Sequence, residues 1–306
     1  MYTQNRQRPW ITTVLLGGFA LPRIWMRTLL VTALSIVVTF LYERVPAFHH
    51  AITATPFSLI GLPLGIFLGF RNNASYDRFW EGRKLWGGLV NTSRSLARQA
   101  LTLIDGPAEA TALETKLVRV VIAYAHALRH HLRGTSPVAE LEGILGADEA
   151  AAVAKQDNVP YALLQRMAEL VVDARRKEWI HPFHVPVLEG SLTSLTDIQG
   201  ACERIKSTPL PYSYTVLMHR IVAGYCVLLP FGLMDIIDWA TPFVVLAISY
   251  CFFGLDAIGD ELEQPFGTDV NDLPLDGISR TIERNLRERL GEPLPPAVAP
   301  IRGILS

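Results

Sequence analysis

Several groups of side chains in this 306-residue chain have the types and spacing that chemistry requires. His126 and His130 stand one helical turn apart and His181 and His184 three residues apart, spacings at which two imidazoles can share a metal ion. Neither pair sits in an HExxH or CxxC context, so structural or surface roles are the simpler reading. His49 and His50 have no carboxylate or thiol beside them, and a surface loop accounts for them. The stretch DAIGDELEQPFGTDVNDLPLDG carries seven carboxylates in 22 residues, an oxygen-rich composition that suits calcium. It lacks the EF-hand spacing, and a solvated acidic face is the simpler reading. His219 and Arg220 form an ionisable pair inside an apolar run, where snorkelling to headgroups competes with a functional role.

Ion passage is chemistry of another kind and needs no reactive group. From Ala51 to Phe70 the chain is uncharged and largely apolar, about the length of a membrane-crossing helix. Two rows run along it at four-residue spacing. Gly61, Gly65 and Gly69 form a small-residue row that allows close approach of a neighbouring helix. Leu62, Ile66 and Phe70 form the adjacent row, each about 6 Å further along the axis. If copies of the helix surround an axis, this row makes three stacked apolar rings, and such constrictions gate by dewetting. Ordinary lipid-facing or packing residues are the competing explanation.

The elements that must position these residues follow from hydropathy and charge. Half of the residues are apolar and the net charge is −1, which suits a membrane protein and does not suggest nucleic-acid binding. Cys202, Cys226 and Cys251 are odd in number and widely spaced, so they read as packing residues. The run from Trp10 to Leu21 lacks a clear cleavage site and reads as an interfacial helix or the approach to a first span. That span lies between Arg27 and Glu43, the second follows over 51–70, and the basic residues Arg71, Arg78, Arg83 and Lys84 place the flank after it in the cytoplasm. Third and fourth spans follow over Tyr212–Met234 and Trp239–Leu255, joined by a turn with Asp235 and Asp238. The expected organisation is therefore 1–76 with an interfacial segment and two spans, 77–208 as a helical cytosolic region, 209–256 with two more spans, and 257–306 as a cytosolic acidic segment, helix and proline-rich tail. Within 77–208, helices are expected near 147–155, 160–180 and 187–206, with no glycine-rich phosphate loop, nucleophile elbow or convincing metal cluster.

RNNASYDRFWEGRKLWG directly after the glycine-rich span, GACERIKSTPLPYSY before the third span and EQPFGTDVND after the fourth occur in an order and spacing that resembles the bestrophin family, in its bacterial form. The resemblance covers nearly the whole chain. It implies an all-α, four-span membrane protein assembling as a homopentamer around one central pore, with both termini cytoplasmic and the cell (inner) membrane as its location. It implies that Leu62, Ile66 and Phe70 are the pore neck, Leu62 preceding Pro63 as the family's first neck residue precedes a proline. A second, cytosolic constriction is implied as well, and Ile180 holds the matching position before HPFH. Animal members carry a calcium clasp after Pro-Phe-Gly. Here Asp269 and Asp272 match clasp positions while Thr268, Val270 and Asn271 replace acidic ones, which leaves at most a vestigial clasp with weakened calcium binding. No cofactor is expected to be required.

On this resemblance the partners are copies of the chain, the lipid bilayer and monovalent ions. Animal members are chiefly chloride channels and bacterial members are associated with monovalent cations. An uncharged neck cannot choose the sign of an ion, so charges outside it must. Asp235 and Asp238, placed near an outer mouth, favour cations such as sodium, and a cation channel is the expectation. The alternative is a chloride or other anion channel; a rival of another class is a membrane-anchored enzyme working through 77–208.

Overall fold

The computed structural model describes residues 21–45 and 53–300. The interfacial segment expected over 10–21, all but Leu21, lies outside them, as do His49, His50 and Ala51. The described chain is helical, with a single isolated bridge pairing Ile104 and Ile180. Ten α-helices follow in order: α1 Leu21–Arg44, α2 Thr55–Leu103, α3 Ala108–Arg133, α4 Val138–Leu145, α5 Ala147–Ala154, α6 Val159–Arg176, α7 Val185–Ser207, α8 Tyr212–Ile237, α9 Thr241–Glu263 and α10 Leu275–Leu290. The described residues divide into two compact units, one of 21–79 with 209–264, the other of 80–208 with 265–300.

The first unit holds α1, the beginning of α2, α8 and α9. Two of its segments, Pro22–Arg44 and Tyr212–Glu263, are long and apolar enough to cross a membrane; the second contains both α8 and α9, joined by a 3-10 turn at Asp238–Ala240. Thr55–Phe70 of α2, interrupted by Pro63 and three glycines, is not among them. Ile24 and Val31 of α1, Leu64 and Leu68 of α2, Val222 of α8 and Phe253 of α9 meet in one buried cluster. On α2 the buried positions Phe57, Leu64, Leu68, Arg71 and Ser75 recur at the three- and four-residue spacing that puts side chains on one face. A second apolar face therefore remains on the other side of the same helix.

Helix α2 runs for 49 residues without interruption, where hydropathy marks only a span and a separate cytosolic stretch. Pro63 costs it one backbone hydrogen bond, a loss that helices in apolar surroundings tolerate. It stops just ahead of Asp105-Gly106-Pro107, a sequence that cannot continue a helix.

In the second unit α3 is the central rod. Val118 and the run from Val120 to Arg129 are buried without a polar stripe, as expected of a helix covered on all sides. It ends at Gly134 in the left-handed region (φ 67°), whose N–H donates to His131 O while Thr135 N–H reaches His130 O. Asn158 caps α6 by accepting from Tyr161 N–H at 3.0 Å. Helices α5, α6 and α7 lie within a few residues of their expected positions, while α4 was not foreseen.

A buried imidazole ties three of these helices. His126 on α3 is 1 % exposed, with Glu283 Oε2 of α10 3.0 Å from Nε2 and Glu140 Oε2 of α4 3.0 Å from Nδ1. Burial pushes its pKa down, but the hydrogen bonds to Glu140 and Glu283 outweigh that and raise it above the ordinary 6.5. Both carboxyls go the other way: burial alone would lift them, yet His126 with its cationic neighbours holds them below the ordinary 4.5. A raised histidine stabilises below its unfolded pKa and loses the contribution as pH rises through the folded value; lowered carboxylates stabilise above theirs and lose it as pH falls. Stability from this triad is therefore greatest between about pH 4.5 and 6.5. The full chain should melt at a higher temperature at pH 6 than at pH 8.5, and His126→Gln should flatten that difference in detergent melting curves.

Candidate functional site

The residues of the apolar row lie outward on α2. Leu62 is 72 %, Ile66 50 % and Phe70 62 % exposed, and Leu59, Ile60 and Phe67 beside them are also exposed. One helix thus presents an uncharged, unpartnered face over more than three turns, the kind of patch that marks contact with lipid or with another chain. The glycine row divides. A Cβ at Gly61 would stand 2.7 Å from the Tyr225 hydroxyl of α8, so that glycine permits a close approach within the chain, whereas a Cβ at Gly65 or Gly69 would meet nothing within 4 Å.

At the end of the row the surroundings change at once. Arg71, the residue after Phe70, is 1 % exposed and points to the opposite side, towards α9. Its Nη1 donates to Asp256 Oδ1 at 2.7 Å and its Nη2 to Asp260 Oδ1. His219 of α8 closes the group: Nδ1 is 2.7 Å from Asp256 Oδ2 and Nε2 3.6 Å from Asp260 Oδ1. Asn72 Nδ2 donates to Leu255 O at 3.1 Å, and Arg78 Nε to Glu263 O at 3.1 Å. Gly259 makes the close approach possible, since a Cβ there would fall 2.5 Å from Asn72 Oδ1. Two turns of α2 are in this way fastened to α9 by polar bonds directly beneath the apolar row. Removing one partner of such a buried pair costs about 3–5 kcal/mol, because the other charge is left unpaired.

This cluster was not assembled from the sequence. Asp256 and Asp260 read as the start of a solvated acidic run and His219 as a snorkelling side chain. The available signal was Arg71 itself, a charge on the buried face of an amphipathic helix. Arg71 supplies one positive charge against the two carboxylates of the group.

Other expected sites are placed as follows. Ile180 is 1 % exposed and bridges Ile104, while Asp105 N–H donates to Trp179 O at 2.9 Å. Ile180, expected at a cytosolic constriction, is thus packed against its own chain. Asp272 is buried, and its Oδ2 accepts from Asp269 N–H at 2.7 Å, so this carboxylate closes its own turn. His126 and His130 converge on the carboxylate of Glu140. The rings of His181 and His184 lie 5.7 Å apart, and His181 Nδ1 accepts from Phe183 N–H at 3.4 Å. Tyr42 of α1 donates to Asp235 at the end of α8.

Comparison with known proteins bears on this arrangement as a whole. The sequence profile of the bacterial and fungal bestrophin proteins matches residues 1–288. The chain belongs to the bestrophin family. A relative from Mesorhizobium japonicum, named voltage-dependent anion channel-forming protein mll4386, is 42 % identical over 286 residues, 94 % of this chain and 91 % of that protein. The similarly named YneE of Escherichia coli K12 is 37 % identical over 292 residues, 95 % of each chain. A crystal structure of a bacterial bestrophin homologue from Klebsiella pneumoniae superimposes with a TM-score of 0.83 at 36 % identity, covering 88 % of this chain and 99 % of that one. These relatives place the helical fold within a bestrophin framework.

The division of the glycine row can be measured. Gly61→Ala should lower stability by about 1 kcal/mol through crowding against Tyr225. Gly65→Ala and Gly69→Ala should change the fold by less than about 0.5 kcal/mol. If the latter two pack against another copy, they should weaken the oligomer alone, read as loss of the large species in light scattering of detergent-purified protein. Unchanged assembly in both would remove them from the interface.

Proposed function

We infer that this bestrophin-family chain is an ion channel subunit with four membrane spans, multi-pass in the cell membrane with both termini in the cytoplasm, and that five copies surround one pore. The observation that carries this reading is the outward, uncharged row Leu62, Ile66 and Phe70 on a helix whose opposite face is buried. Repeated around an axis, the row makes a dry neck that passes ions when it widens or rewets. Self-association also accounts for an exposed apolar face larger than a water-soluble monomer tolerates. The chain's partners are then its own copies, the bilayer and monovalent ions.

For the permeant ion we propose monovalent anions, chloride foremost. Relatives up to 42 % identical carry names as anion channel-forming proteins, which reverses the expectation of sodium or other cations. Cation passage keeps one supporting feature, the carboxylates Asp235 and Asp238 at the turn after α8. The rival enzyme reading has little to rest on among the described residues, since the histidine pairs of 77–208 are engaged with carboxylates, with backbone or with each other. Asp269 and Asp272 are proposed as structural residues of a turn, with calcium unnecessary for the fold there.

Purified protein in planar bilayers under a sodium chloride gradient should reverse near the chloride equilibrium potential. Reversal near the sodium potential would restore the cation reading. Ile66→Ala should raise unitary conductance roughly twofold or more, since it withdraws three carbons per subunit from one ring of the row. An unaltered conductance would remove Ile66 from the neck.

A further inference from the structure

The apolar row has no fixed charge, so ions must be sorted by charges beside it. On α2 the nearest is Arg71, adjoining Phe70. Its guanidinium is withdrawn from solvent and bound to two carboxylates on α9, while the imidazole of His219 lies between the same two. Arg71 and Asp256 are each 1 % exposed, so water does little to screen them. The His219 and Asp260 side chains, 35 % and 40 % exposed, form the accessible edge of the cluster. One cation against two carboxylates leaves a surplus of one negative charge. The cluster's charge is thus largely, not fully, cancelled, and only because opposed charges are held together. Asp77 lies further along α2, and Arg78 is already committed to Glu263 O.

We propose that the charge balance of Arg71 with Asp256, Asp260 and His219 sets the ion preference at the inner end of the neck, Arg71 being the specificity-determining residue that the two aspartates hold out of the ion path. This inference rests on the pore reading above and adds to it the element that reads the sign of the ion. Two consequences have opposite directions. Taking away the carboxylates leaves an uncompensated guanidinium beside Phe70, which attracts anions. Taking away the guanidinium leaves two carboxylates, which attract cations. A role confined to packing would disturb conductance or assembly in both cases without moving ion preference in opposite senses.

The test is the reversal potential of the full chain in planar bilayers under a potassium chloride gradient. Asp256→Asn with Asp260→Asn should raise the chloride-to-potassium permeability ratio several-fold. Arg71→Gln should lower it several-fold. The triple variant carrying all three substitutions should return close to the wild type. Where stripping a buried charge prevents assembly, His219→Lys and His219→Glu at the partly exposed edge carry the same test, the lysine shifting preference towards chloride and the glutamate towards potassium. Shifts of one sign, or no shift, in properly assembled variants overturn the proposal. Wild type and Ile66→Ala separate the two readings: a current whose conductance responds to Ile66→Ala but whose reversal potential ignores every charge variant leaves the pore and removes this inference. Absence of current from all of them overturns both.

Discussion

The fold turns on a guanidinium that is buried where a helix changes character. Arg71 ends the apolar stretch of α2, and desolvating it is tolerable only because Asp256 and Asp260 come to meet it from α9. That requirement fixes both the rotation and the height of α2 against α9, because carboxylates one helical turn apart can grip the two arms of one arginine in a single register. The bonds from Asn72 and Arg78 repeat the fastening over the following turns, and Gly259 allows the backbones to come close enough. Once the buried face is set in this way, the other face of the helix has no choice of direction. Leu62, Ile66 and Phe70 must look away from their own chain.

An apolar face held outward by a polar lock has a plain physical use. Leucine, isoleucine and phenylalanine cost little next to lipid or a second protein surface and much in water, so their exposure demands a membrane, a partner or both. The chain belongs to the bestrophin family, and the apolar row and the charge cluster lie on successive stretches of one continuous helix, α2.

Particular residues mark how far the sequence could be read. The helices α6 and α7 were visible because each is long enough to show an apolar stripe, and the motifs around Arg71, Thr208 and Phe266 carried the family resemblance. Position before HPFH says nothing about the burial of Ile180, which the tertiary structure alone shows, with its backbone bridged to Ile104. The histidine pairs looked like metal ligands at their spacing, yet His126 meets Glu140 and Glu283, residues far along the chain whose approach no local pattern announces. The sign of the permeant ion was drawn from two exposed aspartates, and such a count cannot weigh charges that are cancelled by buried partners.

What the amino-acid sequence determined alone is what depends on near neighbours. It set the helical content, the apolar stretches, the spacing that puts Leu62, Ile66 and Phe70 in one row, and the family. These follow from periodicity and composition, which act within a few turns of a helix. Only the tertiary structure decided which face of α2 is buried, that Gly61 packs within the chain while Gly65 and Gly69 stand open, and that Arg71 is paired with residues 185 and 189 positions away. Pairings of that range are settled by the cost of burying a charge, and that cost is felt only when the helices have come together.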